Sequence, residues 1–544
     1  MKIQSKTLKK IPFLAALLVL ASLPLQALII NMAANEDVNQ ANAFEALTIS
    51  PNQGSIAGGT DVTISGLGFD DTVDIVKVAV GSIHSLALDS NGKVYAWGYG
   101  ADGQLGNGDT INQVSPVAVD TSGVLAGKTI TAITASGGQH SLALDSNGKV
   151  YAWGDNTVGQ LGSGTITSDQ SSPVAVDTSG VLNGKTIVAI SAAGGHSLAL
   201  DSDGKVYSWG YDSNGQLGDG GTNTNQSSPV AVDTSGVLAG KTIVAISAGS
   251  AYSLALDSDG KVYAWGNGGD GQLGYGDVMH QASPVAVDTS GVLNGKTVKV
   301  IAAGGGHSLA IDSDGKVYAW GSDTTGQLGT GTTTSGIQPS PVAVDISGVL
   351  AGKTITAIAP AGSAGGGFSL ALDSDGKVYA WGMDNRGQLG DGANAGSNVP
   401  VVVDTSGALA GKTITAIAAA GAGHSLALDS SGKVYSWGND ELGQLGNGAV
   451  TGDQVSPVAV DTNPATSALG YVPGPISVTF DPTGTAAECT NVVLVDENTI
   501  TCTTSAHIAG TVDVLVSDTV RNSTLRQSFT YKDITPEVPD TGAK

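Results

Sequence analysis

The stretch that decides the fold is HSLALDSNGKVYAWG, residues 84–98. The same pattern returns six times, each copy ends in Trp-Gly, and these copies contain every tryptophan of the chain. Consecutive tryptophans lie 55, 56 or 61 residues apart. A repeat of about this length is typical of a propeller or a solenoid. The seven tryptophans are Trp97, Trp153, Trp209, Trp265, Trp320, Trp381 and Trp437.

Each repeat contains four short apolar segments, which in the second repeat begin at residues 129, 140, 149 and 172. The alternation of apolar with other residues and the β-branched residues in these segments favour strands. Ser-Asn-Gly, Ser-Asp-Gly or Ser-Ser-Gly separates the second and third segments, which predicts a tight hairpin. Four-stranded units repeated seven times close radially, because each sheet buries both faces against its neighbours. We therefore predict an all-β fold with a seven-bladed propeller over residues 76–461.

The H-S-L-A-L, W-G and G-Q-L-G motifs of these units resemble the regulator of chromosome condensation repeat family, over about residues 76–461. The founding member of that family is a nuclear nucleotide-exchange factor for a small GTPase. Secreted bacterial propellers of the same family are adaptable binding surfaces, and one kind inhibits β-lactamases. A signal-like N-terminus, an acidic composition and only three arginines disfavour nuclear exchange here, so the resemblance implies a bacterial exported or surface scaffold.

The segments on either side of the repeats each carry too few strands to close a sandwich. Residues 47–69, within a first segment of 44–75, resemble the opening of an IPT/TIG immunoglobulin-like domain, and residues 476–532 resemble the rest of it. We expect one immunoglobulin-like sandwich into which the propeller is inserted, with residues 462–475 as a connector. The alternative is two truncated flanks.

The two ends of the chain carry targeting patterns. Four lysines precede an apolar run over residues 11–30, which is the layout of a secretory signal, so residues 1–43 are interpreted as a leader that is either cleaved or retained as an anchor. No later stretch resembles a transmembrane segment. Residues 533–544 are interpreted as a flexible tail, in which Pro539–Gly542 is similar to the core of a sortase signal without its remaining parts. These patterns predict a secreted or cell-surface protein.

The charge and cysteine content limit the partners. The formal net charge is -24, so few basic side chains are free to neutralise phosphates, and we do not expect nucleic acid as a partner. The two cysteines, Cys489 and Cys502, are expected to form a disulfide after export, since two cysteines are too few for a structural zinc site.

The repeated polar residues are better explained by structure than by chemistry. Histidine begins the second segment in five repeats, but Tyr252 and Phe368 replace it in two, and phenylalanine neither binds a metal nor transfers a proton. The Asp-Ser-Asp-Gly copies lack the distant glutamate of a calcium loop, so a hairpin turn explains them better. We therefore predict no catalytic residue, no cofactor, no metal site and no enzymatic activity.

Sequence differences among the repeats are concentrated after each Trp-Gly and in an insertion at residues 362–367. Loops on a rigid scaffold commonly carry binding residues. We predict a monomeric adhesion or protein-binding scaffold whose partner is a protein or a surface glycan. The alternatives are a secreted inhibitor or regulator of an extracellular enzyme and, third, a nucleotide-exchange factor. The candidate binding residues are Tyr99, Tyr211, Tyr275, Met383 and Arg386.

Overall fold

A computed structural model describes most of the repeat region and part of the flanks. The described residues are 45–50, 53–55, 61–67, 73–166, 168–221, 223–332, 336–363, 366–461, 477–480, 487–488, 490–496, 499–503, 510–517 and 522–532. The predicted leader, connector and tail and Cys489, one of the two cysteines expected to pair, lie outside them. No described helix is both long and apolar enough to cross a membrane.

The repeats form seven four-stranded antiparallel sheets, numbered here as blades 1–7 in chain order. The predicted all-β seven-bladed propeller is confirmed. Within each blade the four strands are hydrogen-bonded in chain order. The first strands are Ile75–Val80, Ile130–Ala135, Ile187–Ala193, Ile243–Ala248, Val298–Ala303, Ile355–Ser363 and Ile414–Ala419. The second strands are His84–Asp89, His140–Asp145, His196–Asp201, Tyr252–Asp257, His307–Asp312, Gly366–Asp373 and His424–Asp429.

The third and fourth strands complete each blade. The third strands are Val94–Gly98, Val150–Gly154, Val206–Gly210, Val262–Gly266, Val317–Ser322, Val378–Gly382 and Val434–Gly438. The fourth strands are Gln113–Ala118, Gln170–Ala175, Gln226–Ala231, Gln281–Ala286, Ile337–Ala343, Ser397–Val402 and Gln454–Ala459. The insertion in the sixth repeat lengthens the first two strands of blade 6, in which Gly362 pairs with Gly367 and Ser363 with Gly366.

The hydrophobic core lies between the blades. Leu142 and Leu144 of blade 2, for example, pack in one buried cluster with Tyr207 and Trp209 of blade 3. The seven tryptophans are completely buried. Blade 7 packs on blade 1 in the same way, with Leu426 in one cluster with Trp97, so the ring closes. Because both blades consist of consecutive strands, side-chain packing and hydrogen bonds close the ring without exchange of a strand.

The last glycine of each Gly-Gln-Leu-Gly motif is required by this packing. Gly162 has a φ of +66°, and a Cβ atom there would lie 2.6 Å from the Trp209 Nε1 atom. We expect Gly162→Ala to lower the free energy of unfolding by about 2–4 kcal/mol, because left-handed strain and steric overlap add. Gly180→Ala is the matched control, since a Cβ there would have no atom within 4 Å. Equal urea midpoints for the two variants would contradict this explanation.

The strands outside the repeats form two further sheets, and each sheet takes strands from both ends of the chain. One has the order Glu45–Ser50, Asp61–Leu67, Thr499–Thr503, Thr490–Asp496. The other has the order Gln53–Ser55, Asn522–Lys532, Gly510–Ser517, Ser477–Phe480, Ala487–Glu488. The chain accordingly divides into two compact units, Met1–Asp70 with Pro473–Lys544, and Asp71–Val472.

Candidate functional site

A belt of buried hydrogen bonds joins neighbouring blades at the repeated histidine. His140 Nε2 lies 2.8 Å from the Ser197 hydroxyl of the next blade. That hydroxyl donates to the Gln160 carbonyl oxygen at 3.0 Å, and the Trp209 indole donates to the same oxygen at 2.9 Å. Since the serine proton is used in this way, the histidine Nε2 donates to the serine. Every blade contact repeats the serine and tryptophan bonds to the glutamine carbonyl.

In two blades another buried ring replaces the histidine of the belt. Tyr252 replaces the histidine in blade 4 and donates its hydroxyl to the His307 carbonyl oxygen at 2.6 Å. Phe368 replaces it in blade 6 and is 1% exposed, with no polar atom to contribute. A buried ring is therefore the feature shared by all seven blades, as expected for a packing position.

Burial holds these histidines in the neutral form. It lowers the pKa of His84, His140, His307 and His424 to about 3 and that of His196 to about 4. A general acid or base that works near neutral pH needs a pKa close to that value. The belt histidines therefore stabilise the contacts between blades and are unsuited to proton transfer.

The aspartate before each hairpin is also used internally. One Asp201 carboxylate oxygen accepts the amides of Asp203 and Lys205 at 2.9 and 2.8 Å. The other accepts the Tyr207 hydroxyl at 2.9 Å and lies 3.3 Å from the Lys185 ammonium group. These contacts are those of a hairpin turn, so the turn interpretation of the Asp-Ser-Asp-Gly motif is supported by its own hydrogen bonds.

The five candidate binding residues do not form one constellation. Tyr99, Tyr211 and Met383 share one repeat position, directly after Trp-Gly, and all three are partly exposed. Their amides donate to the carbonyl oxygen before the second-strand ring residue, at 2.8–2.9 Å. Tyr275 lies elsewhere, after Gly-Gln-Leu-Gly, where its hydroxyl donates to the Met279 carbonyl oxygen at 3.1 Å.

Arg386, the fifth candidate, bridges two blades. It lies in blade 6, and its guanidinium pairs with the carboxylate of Glu441 in blade 7. A second carboxylate of blade 7, that of Asp453, lies 3.5 Å away. Sequence reasoning did not anticipate this contact, because the residues are more than fifty positions apart.

All five candidates lie at what we call the WG end of the propeller. The WG end is defined by the seven connections from third to fourth strands: residues 99–112, 155–169, 211–225, 267–280, 323–336, 383–396 and 439–453. The hairpin end is defined by the connections from second to third strands and from each blade to the next. The two ends are opposite, because successive strands are antiparallel.

Charge is divided unequally between these ends. The WG-end connections contain no lysine, and Arg386 is their only arginine. The hairpin end carries Lys93, Lys128, Lys149, Lys185, Lys205, Lys241, Lys261, Lys296, Lys316, Lys353, Lys377, Lys412 and Lys433. The acidic residues of the WG end are Asp102, Asp109, Asp155, Asp169, Asp212, Asp219, Asp270, Asp277, Asp323, Asp384, Asp391, Asp440, Glu441 and Asp453.

Three buried carboxyl groups of this end share one arrangement that sequence reasoning missed. Asp212, Asp323 and Asp384 follow Trp-Gly by two positions and are 1–2% exposed. In each, one oxygen accepts the leucine amide of Gly-Gln-Leu-Gly at 2.9–3.2 Å, and the other oxygen has no partner of good hydrogen-bond geometry among the described residues. Burial raises the pKa of Asp212 and Asp384 to about 6. The sequence did offer a signal for this contact. An aspartate two positions after Trp-Gly can accept the leucine amide of the Gly-Gln-Leu-Gly motif that follows it.

The repeat geometry agrees with comparisons to known proteins. The family model for the RCC1-like domain matches residues 121–472, and models of the regulator of chromosome condensation (RCC1) repeat match residues 91–144 and 75–104. The chain belongs to the RCC1-like domain family. The crystal structure of Prp20p from Saccharomyces cerevisiae, a protein that binds Gsp1p and histones, is similar at a TM-score of 0.58 and 24% identity. That match covers 77% of this chain and 93% of Prp20p, and it supports the fold alone.

Curated RCC1-like relatives extend the comparison. The ultraviolet-B receptor UVR8 of Arabidopsis thaliana is 33% identical over 69% of this chain and 79% of UVR8. The mitochondrial RCC1 domain-containing protein RUG3 of the same plant is 32% identical over 68% of this chain and 82% of RUG3. The human E3 ubiquitin-protein ligase HERC2 is 34% identical over 66% of this chain, which corresponds to 7% of HERC2.

These relatives correct two predictions. The expected adhesion scaffold or extracellular inhibitor is wrong, because the similar proteins are a receptor, a ubiquitin ligase and a mitochondrial protein. The expected secreted or cell-surface location is wrong for the same reason. Both depended on the lysines and apolar run of residues 1–43, which lie outside the described residues, whereas the family likeness is carried by the repeats.

Proposed function

We propose that this RCC1-like propeller is a non-enzymatic scaffold that binds a protein partner at its WG end. Differences among the repeats are concentrated in the WG-end connections and in the insertion at residues 362–367, and this variation on a rigid ring is the observation that carries the proposal. Prp20p, which shares this fold, has binding properties toward Gsp1p and histones, so the fold is compatible with a protein ligand. The repeated histidines are used for packing and the hairpin aspartates for turns. The variable connections are therefore the surface that remains for binding a partner.

We further propose that the two flanking sheets are one IPT/TIG immunoglobulin-like sandwich. The pairing of Asp61–Leu67 with Thr499–Thr503 supports it, because strands from before and after the repeats belong to the same sheet. The disulfide between Cys489 and Cys502 stays a prediction.

Site-specific photo-crosslinking tests the binding end. A benzoylphenylalanine at Met383 probes the WG end, and one at Val237, which is 42% exposed at the hairpin end, is the matched control. We expect discrete protein adducts from Met383 in cells of the source organism and few from Val237, because only one end carries the variable connections. Adducts only from Val237, or equal adducts from both positions, would exclude the WG end as the binding surface.

A further inference from the structure

A cavity lies at the hairpin end, where blade 6 meets blade 7. Its volume is about 260 Å³, and a smaller cavity of about 70 Å³ lies at the corresponding place between blades 5 and 6. An apolar cavity of about 150 Å³ is enough to hold a molecule the size of benzene. Of these two cavities, only the larger one therefore has room for a small organic ligand. It is walled by buried apolar side chains of the core between the two blades, namely Val378, Val403, Leu409 and Ile414.

The two cavities differ in one lining side chain at the same repeat position. Thr405 lines the larger cavity, and Ile346 lines the smaller one. Threonine is the smaller of the two side chains, and its hydroxyl can donate a hydrogen bond, which isoleucine cannot. The larger cavity therefore combines more space with a polar group beside its apolar wall.

Two lysines line the larger cavity, and their ammonium groups are weakly paired. Lys412 lies 3.8 Å from a single carboxylate, that of Asp429. Lys377 forms no ion pair with the described residues. Lys353, which has the repeat position of Lys412 and lines the smaller cavity, lies 3.3 and 3.0 Å from the carboxylates of two aspartates. The same double pairing holds Lys185, Lys241 and Lys296.

A serine in the hairpin of blade 7 accounts for the weaker pairing of Lys412. Ser431 has the position at which the hairpins of blades 3–6 carry their second aspartate. Its hydroxyl donates to the Asp429 carboxylate at 2.7 Å, so a neutral group satisfies part of that acceptor. An ammonium group has three donors on a flexible stem. Since Lys412 has one carboxylate at 3.8 Å where Lys353 has two closer ones, its ammonium group keeps donors for an external anion.

We propose that the cavity between blades 6 and 7 binds a small organic carboxylate, whose charged group pairs with Lys412 and whose hydrocarbon part packs on Val403 and Leu409. Apolar walls with a few polar groups at one side are typical of small-molecule sites. An inorganic anion would leave the apolar wall uncovered, whereas a carboxylate with a short chain covers it and keeps its charge beside the ammonium groups. The site lies at the end opposite the WG-end connections, so it goes beyond the proposed function and does not depend on it.

Hexanoate is the probe for this site, and ligand-detected NMR titration of the full chain measures its affinity. Lys412→Gln removes the ammonium group and should weaken hexanoate binding about tenfold, because one charge-assisted hydrogen bond is lost. Lys128→Gln is the matched control. Lys128 has the same repeat position between blades 1 and 2 and is exposed, so the change alters the net charge equally and should alter affinity less than twofold.

Two further variants place residues that other repeats already carry at the same positions, so we expect both to fold. Ser431→Asp restores the second aspartate of blades 3–6 and should weaken hexanoate binding about fivefold, because Lys412 is then held by two carboxylates. Thr405→Ile copies the smaller cavity and should weaken hexanoate binding about tenfold by filling the space for the chain. Acetate should bind the parent chain about tenfold more weakly than hexanoate, because it lacks the hydrocarbon chain.

Several results would overturn the carboxylate site. Equal affinities for acetate and hexanoate would show that exposed lysines attract anions without use of the cavity. Equal losses in Lys412→Gln and Lys128→Gln would show a general charge effect, and unchanged binding in Lys412→Gln would exclude this lysine as the partner. The photo-crosslinking at Met383 is read separately. Its failure would reject the proposed function and leave the carboxylate site standing, and the reverse also holds.

Discussion

Replacing Trp97 by alanine is expected to lower the free energy of unfolding by about 3–5 kcal/mol and to open the ring between blades 7 and 1. The Trp97 side chain is completely buried, and its indole donates to the Gln444 carbonyl oxygen at 3.0 Å. No peptide connection of the propeller spans this contact, because blade 1 is the first and blade 7 the last. Urea denaturation measures the loss, and hydrogen exchange of the first strands of blades 1 and 7 reports the opening.

Trp209→Ala supplies the matched control for this prediction. Trp209 is equally buried and donates to Gln160 at 2.9 Å, but residues 176–186 connect its two blades covalently. We expect a similar loss of global stability and no selective exchange at one contact. If the amide hydrogens of both variants exchange evenly around the ring, the contact between blades 7 and 1 is no weaker than the others. The ring would then not open preferentially at the one contact that only side chains close.

The repeating parts of the fold were predictable because their determinants are local. The alternation within HSLALD and KVYAWG, the hairpin between them and the seven tryptophans specify the strands, the blade number and the ring. The sixth repeat illustrates the limit of this reasoning. Its insertion reads as a loop of glycine and small residues, but it pairs as an extension of two strands, because Gly362 faces Gly367 in register.

The contacts of the candidate site were not predictable, because they join residues from different repeats. Tyr252 and Phe368 indicated that the histidine position serves packing, but the serine partner lies 57 positions away for three of the five histidines and farther for the other two. The Arg386–Glu441 contact and the buried Asp212 depend on the curvature of the ring, which the sequence pattern does not specify. The location was wrong because it depended on residues 1–43, outside the repeats that determine the family.

Acid is expected to destabilise the propeller through its five belt histidines. Their folded pKa of about 3 to 4 is far below the value of 6.5 that an unfolded chain would have. Below pH 6.5 the unfolded state binds a proton at each histidine and the folded state does not. The contribution of the neutral histidines to the free energy of unfolding is therefore complete above pH 6.5 and is lost as the pH falls toward their folded pKa. Each histidine contributes about 1.4 kcal/mol per pH unit. Asp212 and Asp384, with pKa values of about 6, act in the opposite direction, so single variants isolate the effect best.

His140→Phe removes one such group, and Phe368 shows that the fold accepts phenylalanine at this position. The variant loses the bond to Ser197, so it should be less stable than the parent at pH 7. Between pH 7 and pH 4.5 it should regain about 2.5 kcal/mol relative to the parent, because it has no buried imidazole to protonate on unfolding. The reciprocal change, Phe368→His, places an imidazole beside Ser425 and should steepen the acid loss by the same amount. Stability curves that run parallel for all three proteins from pH 7 to 4.5 would contradict this prediction. A histidine with the same pKa in the folded and unfolded states adds no pH dependence to stability, so parallel curves would mean that burial does not hold the belt histidines neutral.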